Sequence, residues 1–268
     1  MTSKERVLAT LAHEKTDRVP VNYSANPGID QRLKAHFGLA AEDDEGLKQA
    51  LSVDYRNVTA PYRGPKLYAD IPERGVKVNN WGVHTRWIEH PTGGYWDFCD
   101  FPLKDADLET IANWPMPNPD DFDYSGIRRQ CEIHREYCVT TGGTGIPDII
   151  NSTGIIRSME QVLIDLALDD PAGLKLIDRR IDIFYEITAR TLEAAKGGID
   201  LLLIGEDLGT QIGPLISLEM FRKHLRPRHQ KFIDLAKHFG IPVQIHSCGS
   251  SSWAFEDFIE MGITAVDT

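Results

Sequence analysis

The chain has 268 residues, of which 41% are hydrophobic, and this is enough to bury one large core without disulfide staples. Lys and Arg total 29 against 40 Asp and Glu, and the resulting net charge of -11 argues against a nucleic-acid partner. The sequence contains neither a run of about 20 apolar residues nor a signal-peptide core, so we expect a cytoplasmic protein with no membrane partner.

The amino-terminal part of the chain predicts two core strands that are separated by helices. In chain order, the pattern predicts a helix from Ser3 to His13, a strand from Val19 to Ser24, helices over residues 29–37 and 45–51, and a strand from Asp54 to Tyr62. Asn22 and Tyr62 then fall at the outgoing ends of these strands. Both residues are candidate substrate-binding residues, because a parallel α/β barrel binds its ligands at the carboxyl ends of its strands.

Residues 64–103 change to short alternating segments that are rich in aromatic residues. They predict a β-hairpin insertion that leaves the main fold, with its turn at Pro91 to Gly94. Two interpretations stay open. Either Trp81, Trp87 and Trp96 form a small core under the hairpin, or the hairpin is a lid or a surface for a partner.

Cys138 to Gly145 predicts a strand that opens into a glycine-rich loop. The loop has no Lys-Ser/Thr pair of a P-loop and no complete GxGxxG, which argues against a nucleotide site. We expect Gly142 and Gly143 to let the backbone approach a bulky substrate closely, and they are therefore candidate substrate-binding residues.

The second half of the chain predicts helices and strands in regular alternation. In chain order, the pattern predicts helices over residues 124–137, 155–168 and 172–196, a strand at 199–204, a helix at 217–239, a strand from 242, a helix at 252–261 and a strand at 263–266. The strand at 199–204 is continuously apolar, as is typical of strands buried on both faces of a parallel sheet.

Two carboxylates, Glu206 and Asp207, follow the apolar strand directly. Burying a charge is costly unless the charge is paired or bound to a metal. Glu206 and Asp207 are therefore candidate catalytic residues, acting as a general base, a metal ligand or the support of a metal ligand. The alternative is that the aspartate, Asp207, caps the next helix.

His246 and Cys248 stand two residues apart at the end of the strand that begins at Pro242. Alternation on a strand places the two side chains on one face, and Gly249 then turns the chain. Imidazole and thiolate are zinc ligands with bond lengths of about 2.0 to 2.3 Å, so the pair is a candidate half of a zinc site. The alternative is a histidine and a cysteine that are simply buried, as these residue types often are.

About six predicted core strands, most of them separated by helices, favour a parallel α/β fold, and a (β/α)₈ TIM barrel fits best because the candidate residues fall at strand carboxyl ends. A doubly wound sheet is the alternative, but it lacks a nucleotide fingerprint here. Residues 1–268 are expected to form a single barrel domain that carries the insertion at 64–103. Roughly two strand-helix units of a closed barrel are absent, so we expect either a fragment or a homo-oligomer in which another chain fills the gap.

Over essentially its whole length the chain resembles the uroporphyrinogen decarboxylase superfamily, and within it the corrinoid-linked methyltransferase branch. The resemblance is carried by Arg6-Val7-Leu8, Asp17 to Pro20, Gly205 to Gln211, Ser217 to Pro227 and His246 to Gly249. It implies a TIM barrel of the uroporphyrinogen decarboxylase type, with a zinc ion held by His246, Cys248 and a second cysteine that would lie beyond Thr268. It further implies methyl transfer between the methyl-cobalt of a corrinoid partner protein and a small-molecule acceptor, either a thiol or a tetrahydrofolate-type pterin, within an O- or N-demethylation system.

Two other functions remain as alternatives. The first is cofactor-free decarboxylation of a tetrapyrrole, the reaction that names the superfamily. True decarboxylases are similar to each other in an arginine-rich motif after the first strand, whereas this chain has Val21 to Asn26 there, without an arginine to pair with the substrate's carboxylates. The second is a non-catalytic fragment or a corrinoid-binding module.

Overall fold

The computed structural model describes residues 1–90 and 93–268. Its strands are β1 (Tyr55–Asn57), β2 (Val76–Val78), β3 (His84–His90), β4 (Gly93–Phe98), β5 (Cys138–Pro147), β6 (Leu201–Gly205), β7 (Val243–His246) and β8 (Ala265–Asp267). Its α-helices are α1 (Ser3–Leu11), α2 (Pro27–His36), α3 (Asp44–Ala50), α4 (Leu108–Asn113), α5 (Ile127–Ile133), α6 (Ile149–Arg157), α7 (Met159–Leu168), α8 (Pro171–Ala195), α9 (Leu218–Met220), α10 (Arg226–His238) and α11 (Phe255–Met261). A π-helical turn at Phe221–Leu225 joins α9 to α10, which together form the predicted helix over 217–239.

Five strands form one parallel sheet in the order β1-β5-β6-β7-β8. The register aligns Gly205 of β6 with His246 of β7, and His246 with Asp267 of β8. Because parallel strands end at the same edge of a sheet, the residues at and just after these three positions lie side by side. The predicted α/β class with a parallel central sheet is confirmed, and the candidate metal ligands lie at the carboxyl edge of that sheet.

The predicted first core strand is wrong, because residues 19–24 do not belong to a sheet strand. Val21 exchanges two hydrogen bonds with Asp54, from the Asp54 backbone N–H to the Val21 carbonyl at 2.8 Å and from the Val21 N–H to the Asp54 carboxylate at 2.8 Å. A ladder does not continue from there, since Pro20 has no N–H and the Val19 carbonyl is occupied by the Arg18 guanidinium at 2.9 Å. Asn22 therefore does not end a core strand.

Two other predicted elements differ from the structure around the central strand β5. The helix predicted over 155–168 is two helices, α6 and α7, which are separated at Ser158, where φ is +67°. The predicted glycine-rich loop is instead a continuation of β5, with a shift of register between Gly142 and Pro147. At Gly142, where φ is +86°, a Cβ atom would lie 2.1 Å from the Leu203 carbonyl oxygen, so glycine is required there by the neighbouring strand β6.

Strands β2, β3 and β4 form the predicted insertion as a separate antiparallel sheet. Pro91 and Thr92 of the predicted turn lie outside the described residues. Trp87 and Trp96 pair across β3 and β4 with ring centroids 5.7 Å apart, yet they stay 46% and 40% exposed. Trp81 alone of the three tryptophans packs into a small core beneath, where the Trp114 indole donates to its carbonyl at 3.2 Å.

Helices α6, α7, α8, α10 and α11 cover the sheet with apolar side chains. Their main contact surface is a cluster of buried residues that includes Ile149, Val162, Ile177, Ile204, Phe232, Ile245 and Phe258. This packing holds the first turn of α6 against the carboxyl end of β6, which brings helix side chains to the edge where the candidate ligands lie. Among residues 1–90 and 93–268, no helix has the length and apolar character needed to cross a bilayer.

Candidate metal centre

Three potential metal ligands meet at the carboxyl edge of the sheet. The His246 Nε2 atom lies 3.2 Å from the Cys248 sulfur and 3.6 Å from Asp207 Oδ1, and the ligand atoms of the three residues all lie within 4.8 Å of one another. Tetrahedral ligands at zinc bond lengths of about 2.0 to 2.3 Å are separated from each other by roughly 3.3 to 3.8 Å. Asp207 therefore lies beside His246 and Cys248, and the spacing of the three ligand atoms suits a single cation.

Asp207 is oriented by hydrogen bonds to both of its carboxylate oxygens. Oδ1 accepts from the Cys248 backbone N–H at 2.8 Å, and Oδ2 accepts from the Asn151 side-chain amide at 2.8 Å. A carboxylate oxygen has more than one acceptor site, so each oxygen keeps a lone pair for a cation. The hydrogen bonds fix the carboxylate in the direction of His246 and Cys248.

His246 is oriented from the neighbouring strand. Its Nδ1 atom lies 3.3 Å from the Asp267 carboxylate at the end of β8. When Nδ1–H donates to Asp267, the lone pair of Nε2 faces Asp207 and Cys248. This carboxylate-histidine arrangement is the one that commonly fixes the tautomer of a metal-binding imidazole.

Cys248 is the exposed member of the cluster. Desolvation, with a further contribution from the Asp207 carboxylate, raises the pKa of the Cys248 thiol. The thiol is therefore protonated at neutral pH when no cation is bound. A divalent cation in the cluster reverses this balance, because it stabilises the thiolate directly.

Glu206 points the other way, into the protein, and is fully buried. Its two carboxylate oxygens accept from the backbone N–H groups of Ile149 at 2.6 Å and Ile150 at 2.9 Å, at the first turn of α6. Burial raises the pKa of Glu206, and the nearby Asp148 adds to the shift. Its predicted catalytic role stays a prediction. In the structure, Glu206 anchors α6, the helix that carries Asn151.

A cavity of about 700 Å³ adjoins the cluster. Asn151 belongs to both, since it donates to Asp207 and also lines the cavity. The other walls come from the insertion, from α6 and its N-cap, and from the start of α7, and they include Asp97, Phe98, Phe101, Asp148, Ser152, Ile155 and Met159. Because β4 contributes Asp97 and Phe98, the insertion forms one wall of this cavity. The size lies in the range of roughly 300 to 1,000 Å³ that is usual for small-molecule sites.

Of the four predicted substrate-binding residues, Gly142 lines a cavity, whereas Asn22 and Tyr62 lie elsewhere. Gly142 lines a second, smaller cavity of about 190 Å³, and Gly143 is half-buried on the same strand. Asn22 is exposed, and its side-chain oxygen accepts from the Tyr23 backbone N–H at 2.8 Å. Tyr62 donates from its hydroxyl to the Pro65 carbonyl at 2.9 Å. In the part of the chain that the structure describes, neither Asn22 nor Tyr62 lines these two cavities, and their substrate-binding role stays a prediction.

Sequence reasoning missed three residues of the site. Asp267 carries the signal that identified His246 and Asp207, since it is a polar residue at the carboxyl end of a predicted strand. Asn151 and Asp148 carry no such signal, because they lie at the first turn of a helix whose start was predicted too late in the chain. Only the packing of α6 on β6 reveals that they face the candidate metal centre and the adjoining cavity.

The three ligands suit a catalytic rather than a purely structural metal site, since catalytic zinc sites usually have three protein ligands and keep one position open. The open side of the cluster and the adjoining cavity would let a small molecule reach such an ion. Neither a protein-family model nor a curated protein matches the chain.

Proposed function

We propose that the protein is a zinc-dependent methyltransferase that moves a methyl group from the methyl-cobalt of a corrinoid protein to a small acceptor, with a thiol favoured over a tetrahydrofolate-type pterin. The observation that carries the proposal is the meeting of Asp207, His246 and Cys248 within 4.8 Å, at the carboxyl edge of a parallel sheet and beside a cavity. A soft sulfur, an imidazole nitrogen and a single carboxylate form a donor set that suits zinc better than magnesium or calcium.

The donor set fits zinc without a ligand from elsewhere in the chain. The resemblance implies a second cysteine beyond Thr268, whereas Asp207 offers a third ligand next to His246 and Cys248. A bound zinc ion would supply one kind of chemistry here, which is to lower the pKa of an incoming thiol so that its thiolate is available at neutral pH.

The protein's own groups would position the acceptor and the ligands. Asp267 and Asn151 fix the imidazole and the carboxylate, and the cavity between α6 and β4 would hold the body of the acceptor. A cavity of about 700 Å³ suits a small acceptor rather than a complete corrinoid, so the corrinoid would stay on its own protein and approach from outside. In the transfer, the thiolate forms the S–C bond, the Co–C bond breaks with both electrons left on cobalt, and the thiol proton goes to solvent.

We also propose that the sheet is part of a (β/α)₈ barrel of the uroporphyrinogen decarboxylase type. Its support is the row of polar groups at the carboxyl ends of neighbouring parallel strands, since barrel enzymes assemble their sites at that edge. All four cysteines are free thiols, which suits a reducing cytoplasm.

The proposal is tested by metal binding and methyl transfer in the same protein. After treatment with EDTA, zinc is titrated into the wild type and into Cys248→Ser and Asp207→Asn by calorimetry. Methyl transfer from methylcobalamin to 2-mercaptoethanol is followed by the visible spectrum of the cobalamin and by mass spectrometry of the thioether. We expect both substitutions to weaken zinc binding by more than about 100-fold, since loss of a supporting hydrogen bond alone causes about 10- to 100-fold.

Cys131→Ser is the matched control, because Cys131 is also a free thiol but is buried against α8. We expect it to bind zinc and transfer methyl groups like the wild type. Zinc binding and thiol methylation that survive unchanged in Cys248→Ser would contradict the proposal.

A further inference from the structure

The cavity beside the candidate metal centre is lined by negative but not by positive side chains. Two carboxylates, those of Asp97 on β4 and of Asp148 at the N-cap of α6, line this cavity of about 700 Å³. Its walls in the described chain include no Lys, Arg or His. A cleft that is lined by one sign of charge concentrates small ligands of the opposite sign. The walls therefore indicate which charge a ligand of this cavity carries.

Neither carboxylate forms an ion pair among residues 1–90 and 93–268. Asp97 Oδ1 accepts from the Phe98 backbone N–H at 2.9 Å, and Arg86, which lies opposite Asp97 in the register of β3 and β4, does not pair with it. Asp148 Oδ1 accepts from the Asn151 backbone N–H at 3.1 Å. Both donors are neutral amides, so they orient the carboxylates without cancelling their charge.

The guanidinium of Arg180 lies behind one wall of the cavity and does not reverse this balance. Its Nη2 atom donates to the Ser152 hydroxyl at 2.8 Å, and it is Ser152 that lines the cavity. Burial raises the pKa of Asp148 to about 7, and the charge of Arg180 opposes this shift only in part. At pH 8 the walls therefore present two carboxylates, against one guanidinium that a ligand in the cavity does not contact.

Two phenylalanine rings complete a lining that suits an organic cation. Phe98 and Phe101, both from the insertion, line the same cavity as the two carboxylates. The Phe98 side chain is 47% exposed, so a ligand can cover its ring. Aromatic faces attract ammonium groups, and quaternary ammonium ligands are commonly recognised in this way. Carboxylates and aromatic rings together favour an ammonium group over a neutral group of the same shape, and the carboxylates repel an anion.

We propose that this cavity selects a small organic cation, and that the methyl acceptor is accordingly a thiol whose body carries an ammonium group. The identity of the acceptor rests on the proposed methyl transfer, whereas the preference for a cation rests on the cavity walls alone. Asn151 connects the two sites, because it donates to Asp207 and also lines the cavity. A short thiol would place its sulfur at the metal centre and its ammonium group near Asp97 and Asp148.

Binding of choline to the EDTA-treated protein tests the preference for a cation. Calorimetry at pH 8 compares choline with 3,3-dimethylbutan-1-ol, which has the same shape but a carbon atom in place of the charged nitrogen. We expect choline to bind the wild type at least about 10-fold more tightly than the neutral alcohol. Asp148→Asn should weaken choline binding at least about 5-fold and Phe98→Leu about 2- to 5-fold, whereas binding of the alcohol should change less than about 2-fold in either variant.

Asp107→Asn is the matched control, because it also removes one carboxylate but acts at the N-cap of α4, outside the cavity walls. It should bind choline like the wild type, and urea unfolding checks that all the variants are folded. The preference for a cation is overturned if the wild type does not bind choline, if the neutral alcohol binds as tightly, or if Asp148→Asn binds choline like the wild type. Since EDTA removes any bound zinc, these outcomes do not depend on the metal centre.

Three thiols that share the chain HS–CH₂–CH₂ test the acceptor. They are cysteamine with an ammonium group, 2-mercaptoethanol with a hydroxyl group and 3-mercaptopropionate with a carboxylate. In each transfer from methylcobalamin by the zinc-loaded protein, the S–C bond forms, the Co–C bond breaks with its electron pair left on cobalt, and the thiol proton goes to solvent. We expect kcat/KM at pH 8 to fall in the order given, and the ratio of cysteamine to 3-mercaptopropionate to fall at least about 5-fold in Asp148→Asn. Comparing this ratio between variant and wild type removes the different acidities of the thiols.

The two experiments separate the failure of this inference from the failure of the proposed function. Methyl transfer that does not prefer cysteamine, or a ratio that Asp148→Asn leaves unchanged, would overturn the assigned acceptor while methyl transfer itself stands. Absence of transfer to all three thiols would instead overturn the proposed function, and with it the acceptor, while the choline measurements still decide whether the cavity selects a cation.

Discussion

Asp148 carries a carboxyl group that folding removes from water. It is 8% exposed at the start of α6, and burial raises its pKa to about 7, with the Asp207 carboxylate adding to the shift. Its Oδ1 atom accepts from the Asn151 backbone N–H at 3.1 Å, which caps the helix. We predict that Asp148→Asn makes the protein more stable at alkaline pH, because asparagine keeps the capping oxygen and removes the buried charge.

Folding changes how many protons Asp148 binds. Between the ordinary pKa of 3.8 and the raised value of about 7, the folded protein keeps a proton that the unfolded chain has released, so stability falls as pH rises through this window. A difference of about 3 pKa units corresponds to about 4 kcal/mol above pH 7, of which about 3 kcal/mol is lost between pH 5 and pH 8. Asparagine does not titrate, so the variant escapes this loss.

Urea unfolding at pH 5 and pH 8, followed by circular dichroism in the presence of EDTA, measures the effect. EDTA is needed because a bound cation would favour the ionised carboxylate. We expect the free energy of unfolding of Asp148→Asn, relative to the wild type, to be about 3 kcal/mol more favourable at pH 8 than at pH 5. A difference that stays the same at both pH values would show that burial does not hold this carboxyl protonated.

Asp107→Asn is the matched control, because Asp107 is an exposed cap of α4. Its carboxylate accepts from the Thr110 backbone N–H at 2.8 Å, and the hydrogen bonds from Thr110 lower its pKa. This group contributes stability that is present above its ordinary pKa and lost only in acid, below the window of the experiment. The effect of Asp107→Asn should therefore be equal at pH 5 and pH 8.

One further substitution tests the support of the candidate metal centre, and a pair of substitutions compares a buried with an exposed ion pair. Asn151→Leu removes the amide that donates to Asp207 Oδ2, and zinc titration should show an affinity about 10- to 100-fold weaker; an unchanged affinity would mean that Asn151 does not support the site. Arg157→Met leaves the Asp165 carboxylate buried and unpaired, and urea unfolding should show a loss of about 3 to 5 kcal/mol. Arg128→Met breaks only an exposed ion pair on α5 and should cost less than about 0.5 kcal/mol; equal losses in the two variants would contradict the importance of burial.

The proximity of His246 and Cys248 was predictable from the sequence because its geometry is local. The spacing of His246 and Cys248, with Gly249 after them, fixes which face of the strand they share, and no distant contact is needed. Parallel strands then bring Asp207 to the same edge, since each strand contributes the residues that follow its carboxyl end. The same rule applies to Asp267, because Asp267 ends β8 and the parallel register aligns it with His246 of β7.

The predicted strand over residues 19–24 failed for a reason that the local pattern does not contain. A short apolar run favoured a strand here, but a sheet strand also needs free backbone partners along its length. Pro20 cannot donate, and Arg18 occupies the Val19 carbonyl while its guanidinium also binds Asp54 at 2.7 Å. An ion-pair network between segments that are distant in the chain decided the outcome, and composition alone cannot show such a network.

Glu206 and Asp207 are adjacent residues after β6, but the structure places them in different surroundings. Adjacent residues at a strand end face opposite sides, so only one of them can reach the open edge. Glu206 faces inward and accepts from the free N–H groups at the start of α6, a helix that precedes it by more than 50 residues. Asp207 faces outward to His246 and Cys248. Glu206 anchors α6, and Asn151 of α6 donates to Asp207. One residue of the dipeptide is therefore a candidate ligand, and the other supports it through the helix.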